Sequence, residues 1–343
     1  MPLVAIGALA LGMAACGGGN GSGDTDLQAD LAASGSSFED PFIQASLDGF
    51  AKEAPNVNVN YDATGSGTGK KDFGKNTTDF AGTDSLVKPE DGIKDGSYVY
   101  VPTVAAPITI SYNLPGVDKL QLSADTLADI FQSKVKTWND QEIAKDNPDL
   151  KGKLPSTKIT VAHRSDGSGT TSNFTTYLKK ASKKWKLGAG ETVEWPKDTQ
   201  GGTKNTGVAQ IIKQSKGAIG YVDLADAKET KLHFANVKNQ AGKYVEPTLD
   251  AAAAAVEGAK VNDDVSYDPL NAKGDTAYPI TSPTYLLLRT EYTDANKGKA
   301  VKAFVKYLLG DGQDKAESLN FAKLPDSLLE KAKAQLDKVK VKG

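Results

Sequence analysis

Arginine is as scarce as histidine in this sequence and is the basic side chain best suited to gripping an oxyanion. Only Arg164 and Arg289 occur, and every other strongly basic side chain is lysine. A guanidinium presents a planar fork of donors that an ammonium cannot imitate, so an arginine kept in a lysine-dominated chain singles out its position. Arg164 opens the run Arg164-Ser165-Asp166-Gly167-Ser168-Gly169-Thr170-Thr171. It can offer two parallel charge-assisted hydrogen bonds while Asp166 steadies the fork; a solvated turn pair is the other reading of these two residues. Two more segments share this composition, Ser34-Gly35-Ser36-Ser37-Phe38 and Thr64-Gly65-Ser66-Gly67-Thr68-Gly69. Each follows an extended run and precedes a helical pattern. Helix N-termini carry free N–H groups and the positive end of the macrodipole, glycine lets backbone come close to a ligand, and hydroxyls add rotatable donors. One such corner is usually only a cap. Three in one chain, one of them holding the rare arginine, point to a bound anion.

Rival chemistries fail on spacing. Gly69-Lys70-Lys71 has the look of a nucleotide-binding P-loop, but that motif needs Gly at 64 and Ser or Thr at 71, where Thr64 and Lys71 stand. Gly167-Ser168-Gly169 suggests a nucleophile elbow, but Asp166 and Thr170 occupy the places of its flanking glycines. The only histidines are His163 and His233 and the only cysteine is Cys16, so neither a Cys/His metal site nor an intramolecular disulfide is available. His163, just before Arg164, is expected to pack or face solvent. A net charge of −2 with interspersed signs lacks the basic surplus of a nucleic-acid binder. An anion must therefore be held by local geometry rather than drawn in by a global field.

The elements that position these corners read as α/β. At 343 residues the chain can form two domains with full cores, and its 39% apolar and 24% charged content is that of a globular protein. Val57, Val59 and Tyr61 alternate with Asn58 and Asn60, and Ile159 and Val161 repeat the pattern ahead of Arg164; both predict strands. Ile43, Leu47 and Phe50 mark the helix after the first corner, and Phe174, Tyr177 and Leu178 the helix after the third. Leu127, Ile130 and Phe131, followed by Trp138, mark another, and Ala251 to Val256 reads as helix on propensity. A strand-like run from Tyr98 to Ile110 is interrupted at Pro102-Thr103, and a second, Tyr285 to Leu288, follows Pro279 and Pro283. Two such crossings are what a hinge between two lobes would look like.

The amino terminus reads as an address. Leu3 to Ala15 is almost wholly apolar, too short for a comfortable membrane span and of the right length for an export signal. Met13-Ala14-Ala15-Cys16 resembles a bacterial lipobox, with Met13 where leucine is usual and with no Lys or Arg ahead of the apolar run. A buried N-terminal helix with a core cysteine is the alternative. Residues 1–15 are thus expected to be a signal peptide. Residues 16–30 would be a lipidated Cys16 on a flexible Gly-rich tether that spans roughly 20 Å as a random coil.

These residues resemble a family. Arg164-Ser165-Asp166-Gly167-Ser168-Gly169-Thr170 is similar to the R-x-D-G-S-G-T signature of PstS-type phosphate-binding proteins. Matching segments run in order along nearly the whole mature chain: Gly35 to Phe38, Asp79 to Asp84, Thr126 to Phe131, Gly217 to Tyr221, Tyr278 to Ser282 and Leu324 to Asp326. The resemblance implies an α/β, two-lobed, type II-like periplasmic-binding-protein fold with a two-strand hinge. Lobe I would comprise 31–104 plus 280–343 and lobe II 105–279. It implies a lipid-anchored extracytoplasmic protein, not an enzyme, that closes on inorganic phosphate and presents it to the permease subunits of an ABC importer, with no cofactor and no nucleic acid. Carried over by motif, Ser37 and Phe38 would give backbone N–H groups and the Ser37 hydroxyl. Ser66 would give hydroxyl and amide, and Arg164 its guanidinium, steadied by Asp166. Ser168, Gly169 and Thr170 would close the cage, and Asp84 would be its one acceptor. Phosphate keeps a proton at neutral pH and sulfate keeps none, so a buried carboxylate would accept from the first and repel the second. The other reading of Asp84 is a turn cap with Ser85. Glu39 and Asp40, where the family commonly has a proline-rich step, would sit near the mouth and slow anion capture, with Asp40 capping the helix begun by Pro41. The alternatives are a binder of sulfate or molybdate, against which Asp84 tells, and a phosphate-releasing hydrolase, for which no metal cluster or nucleophile–base spacing is visible.

Overall fold

In the computed structural model, residues 27–342 are described. The first half alternates β1 (Ala29–Gly35), α1 (Asp40–Glu53), β2 (Val57–Asp62), α2 (Ser66–Gly74) and β3 (Phe80–Thr83), then enters the long strand β4 (Tyr98–Tyr112). The second half runs through β5 (Gln121–Leu122), α3 (Ala124–Phe131), α4 (Gln141–Asp146), β6 (Thr160–Arg164), α5 (Gly169–Ala181), β7 (Gln200–Gly202) and α6 (Lys204–Gln214). It continues with β8 (Ala218–Asp223), α7 (Leu224–Glu229), β9 (His233–Lys238), β10 (Tyr244–Val245) and α8 (Leu249–Glu257). The chain then returns through β11 (Thr281–Arg289) to α9 (Ala295–Leu308).

The strands pair in the order β2-β1-β3-β11-β4-β8-β6-β7, with β9 attached to β4. β2 is the strand its alternation predicts, Val57 and Tyr61 inside and Asn58 and Asn60 outside, and it lies at the edge of the sheet. β8 and nearly all of β11 are buried along their length, as strands covered on both faces must be. β4 is the spine: residues 98–107 pair with β11 and 108–112 with β8, so one strand carries the sheet from one half to the other. Beside it the returning chain meets β4 where the Ile108 amide donates to the Ile280 carbonyl at 2.8 Å. The expected prolines sit on these two crossings, and the register of β11 shifts between Pro283 and Tyr285, where proline cannot donate to the ladder.

Aromatic contacts seat the helices. Phe50 of α1 meets Phe304 of α9 at 5.1 Å, and Phe131 of α3 meets Phe174 of α5 at 4.7 Å, both edge-on. Each such ring contributes about 1.5–3 kcal/mol by burial. The alanine run lies in α8 as propensity predicts.

The expected tether overruns the fold. Leu27 is buried, and Ala29 and Asp30 already pair with Val57 and Asn58. The outward polar residues Gln28, just before β1, and Asp30, within it, made the start of the strand look like linker. The expected signal segment and the expected lipidation site Cys16 lie outside the described residues. Among the described residues no helix is long and apolar enough to cross a membrane.

Candidate anion site at three helix N-termini

The three corners converge. At the first, β1 ends at Gly35, whose φ of +146° and contact with β3 leave no room for a side chain: a Cβ would stand 2.1 Å from the Gly82 carbonyl. Ser36 Oγ then accepts the amides of Phe38 (3.1 Å) and Glu39 (3.2 Å) and donates to Asp84 Oδ1 at 2.5 Å. At the second, Gly65 (φ +91°) turns the chain into α2; a Cβ there would meet the Gly167 carbonyl at 2.7 Å and Asp166 Oδ2 at 2.8 Å. Ser66 Oγ donates to Asp84 Oδ2 at 3.3 Å and accepts the Asp84 amide at 3.2 Å. At the third, Ser168 caps α5 by accepting the Thr171 amide at 3.1 Å, which leaves Gly169 and Thr170 in the first turn, where amides have no partner within the helix. A Cβ on Gly169 would lie 2.6 Å from both Asp84 Oδ2 and Ser66 Oγ. Only glycine lets the third corner approach the other two.

Arg164 ends β6 and is buried. Its Nε donates to Asp166 Oδ1 at 2.7 Å, Nη2 donates to Asp166 Oδ2, and Nη1 donates to Asn205 Oδ1 at 3.0 Å. That engages three of the five N–H groups of a guanidinium; the rest have no partner among the described residues. Burial pushes the Asp166 carboxyl up, but the hydrogen bond and charge of Arg164 outweigh it and hold it below the ordinary carboxylate range. The reading of a solvated pair therefore gives way to a clamped guanidinium.

Asp84 carries the opposite character. Burial pushes its carboxyl up to about 7, against the pull of Ser36, Arg164 and Ser66 and with a smaller push from Glu191. Its partners are Ser36 and Ser66, not Ser85, whose hydroxyl reaches Glu191 instead. Ser37 Oγ and Thr64 Oγ1 are buried without a partner among the described residues. Leaving such groups unpaired costs about 1–3 kcal/mol each, which a ligand accepting from them would recover. The Phe38 amide, expected to face the ligand, is engaged by Ser36 Oγ, and its ring packs edge-on against Phe321.

Glu39 is not at the mouth. It is fully buried, takes a hydrogen bond from Thr103 Oγ1 of β4, and is pushed up to about 7 by burial, with Asp84 adding to the push. It caps nothing outside and repels nothing there. Asp40 is the first residue of α1 rather than its cap, and Ser36 Oγ instead holds the turn just before the helix through the Phe38 and Glu39 amides.

Three residues in the site, Asn205, Asn173 and Glu191, carried no recognised signal in the sequence, and Tyr221 was marked only as the end of the matching segment Gly217 to Tyr221. Asn205 bridges Arg164 and Thr170, whose Oγ1 accepts from Nδ2 at 3.3 Å. Asn173 Nδ2 donates to the carbonyls of Asp84 (2.6 Å) and Gly169 (3.1 Å) and to Ser282 Oγ (2.9 Å). Tyr221 Oη accepts the Arg164 amide at 3.1 Å and lies 2.7 Å from Thr171 Oγ1. Glu191 meets Ser85 and Lys70. His163 is half-buried and stacks on Trp195 at 4.9 Å. Among the described residues no group of His, Cys, Asp and Glu could hold a metal.

Residues 20–312 match the model of the PBP superfamily domain. The chain is 38% identical to the phosphate-binding protein PstS of Methanocaldococcus jannaschii over 331 residues, covering 88% of this chain and 85% of that one. It is 37% identical to PstS of Xylella fastidiosa, covering 89% and 84%. The chain belongs to the PstS family of the PBP superfamily. A crystal structure of a phosphate-binding protein from Stenotrophomonas maltophilia, 21% identical, superposes with a TM-score of 0.68 over 89% of this PstS-family chain and 93% of that one. The two-lobed α/β fold expected from the sequence is the fold of this family.

Proposed function

We propose that this chain is an extracytoplasmic binding protein that captures inorganic phosphate between two lobes and delivers it to the permease of an ABC importer. Its relatives are named as phosphate-binding proteins, not as enzymes. The observation that carries the reading is the meeting of a clamped Arg164 fork and a buried acceptor, Asp84, at the focus of three helix N-termini. Arg164, Ser37, Ser66, Ser168 and the first-turn amides of Gly169 and Thr170 would donate to phosphate oxygens, and Asp84 would accept from the P–OH. The Phe38 amide would be shared between Ser36 Oγ and the ligand. Asp166 would position the guanidinium. The lobes would be 29–104 with 280–343 and 105–279, moving about β4 and the return into β11.

Calorimetry with phosphate and sulfate tests the reading. One phosphate per chain, with sulfate far weaker, is expected, and para-nitrophenyl phosphate should release no colour. Equal affinities would favour a general oxyanion binder, and turnover would favour a hydrolase. We also propose a lipid anchor on Cys16. Cys16→Ser should leave phosphate binding intact and move the protein out of the membrane fraction, since acyl chains supply the attachment. An unchanged membrane fraction would contradict the anchor.

A further inference from the structure

The lysine that fails as part of a P-loop has another partner. Lys70, on α2, is wholly buried. Its Nζ lies 2.9 Å from Asp91 Oδ2 and 2.9 Å from Glu191 Oε1, and it donates to the Leu86 carbonyl at 3.1 Å. Asp91 belongs to the same half of the chain as Lys70, whereas Glu191 reaches across from the segment between α5 and β7. Glu191 Oε1 also accepts Ser85 Oγ at 2.5 Å, and Ser85 adjoins Asp84. The main-chain carbonyl of Glu191 accepts the amide of Ser168, the cap of α5, at 3.2 Å. Beside this bridge the Gly67 amide of α2 donates to the Gly167 carbonyl at 3.1 Å, and a Cβ on Gly67 would come 2.7 Å from Glu191 Oε2.

We infer that Glu191 is a latch: its carboxylate crosses from the lobe carrying Arg164 to Lys70 and Ser85 on the lobe carrying Asp84, and sets how long the closed site holds its phosphate. This rests on the phosphate-capture reading. The chemistry suits a contact made and broken in every cycle. Opening leaves Lys70 still paired with Asp91, so no buried cation is orphaned, while Glu191 passes into water. Closing brings a carboxylate next to Asp84, a repulsion that the Lys70 ammonium offsets. Because Glu191 holds the Ser168 amide through its backbone, the latch engages in register with the α5 N-terminus that faces the anion. Contacts formed only after encounter act on the dissociation rate and leave association nearly untouched. Glu191 is therefore a positioning residue that need not touch the ligand.

The test is stopped-flow phosphate association and dissociation on the full chain, read by the fluorescence of Trp185 and Trp195, for wild type, Glu191→Gln and Ser85→Ala. Glu191→Gln should raise the dissociation rate roughly tenfold, the scale of one charge-assisted hydrogen bond, with association and the phosphate-free melting temperature unchanged. Ser85→Ala should raise dissociation about two- to threefold and keeps the inference testable if Glu191→Gln folds poorly. Unchanged dissociation in both variants overturns the latch while the phosphate reading stands. A fall in association with dissociation constant, or a lowered phosphate-free melting temperature that accounts for the whole loss of affinity, assigns Glu191 a structural role instead and also overturns it. Failure of the wild-type chain to bind phosphate overturns the capture reading and the latch with it.

Discussion

The two walls of the site are built on opposite plans. The wall from the second half centres on a cation: Arg164, held on three N–H groups by Asp166 and Asn205, beside the capped start of α5. The wall from the first half centres on an acid: Asp84, buried, hydrogen-bonded by Ser36 and Ser66, with a second buried acid, Glu39, behind it. A cage of donors alone would hold any small oxyanion. A single acceptor among the donors rewards an oxyanion that still carries a proton. On the proposed reading, affinity would reside mainly in the second-half wall and selectivity in the first, and the two could be perturbed separately.

The largest expected effect is on the cationic wall. Arg164→Lys should weaken phosphate binding by about 1–3 kcal/mol, because one ammonium cannot serve Asp166, Asn205 and the ligand together. Unchanged affinity by calorimetry would remove Arg164 from the site. Asn205→Ala is the milder form of the same perturbation. It removes the support under Nη1 and Thr170 Oγ1 and should reduce phosphate affinity by about 1 kcal/mol, with the phosphate-to-sulfate ratio kept. A changed ratio would mean that the two walls are not separable.

The acidic wall should respond to pH. Asp84 and Glu39 both sit at about 7, above the ordinary carboxylate value. Acids raised in this way contribute stability that is fully present below about pH 4 and is lost as pH rises through about 7. The phosphate-free protein should therefore melt at a higher temperature at pH 5.5 than at pH 8. A protonated Asp84 also no longer repels sulfate, so the phosphate-to-sulfate ratio should narrow on going from pH 8 to pH 6. A melting temperature and a ratio that are flat across this range would contradict a buried, titrating Asp84.

How much of this was legible in the sequence follows from distance along the chain. The corners, the helix faces and the Arg164–Asp166 pair are local patterns, and periodicity and composition report them. Apart from the Gly169 carbonyl one helical turn from Asn173, the side chains of Asn173, Asn205 and Glu191 act on partners from about 35 to more than 100 positions away, and nothing around them distinguishes them from surface polar residues. Ser36 and Ser37 show the limit within a corner. Either serine could face the anion, and only the pairing of β1 with β3 puts Ser36 on Asp84 and leaves Ser37 Oγ buried and without a partner among the described residues. Glu39 misled for the same reason: a carboxylate at a helix start reads as exposed until Thr103, on the spine of the sheet, is seen beside it. The start of β1 misled because Gln28 and Asp30 resemble linker.

The central claim is that Asp84 reads the proton on the ligand, and the most direct test is paired calorimetry of wild type and Asp84→Asn with phosphate and sulfate at one pH and ionic strength. The amide is nearly isosteric and uncharged, and can offer C=O to a P–OH or N–H to a bare oxygen. Phosphate should bind with little change, the smallest effect in the series, while sulfate affinity rises because its repulsion has been replaced by a donor; specificity is a difference of affinities, so the ratio narrows. A ratio equal to that of the wild type would contradict the account and move selectivity elsewhere in the cage.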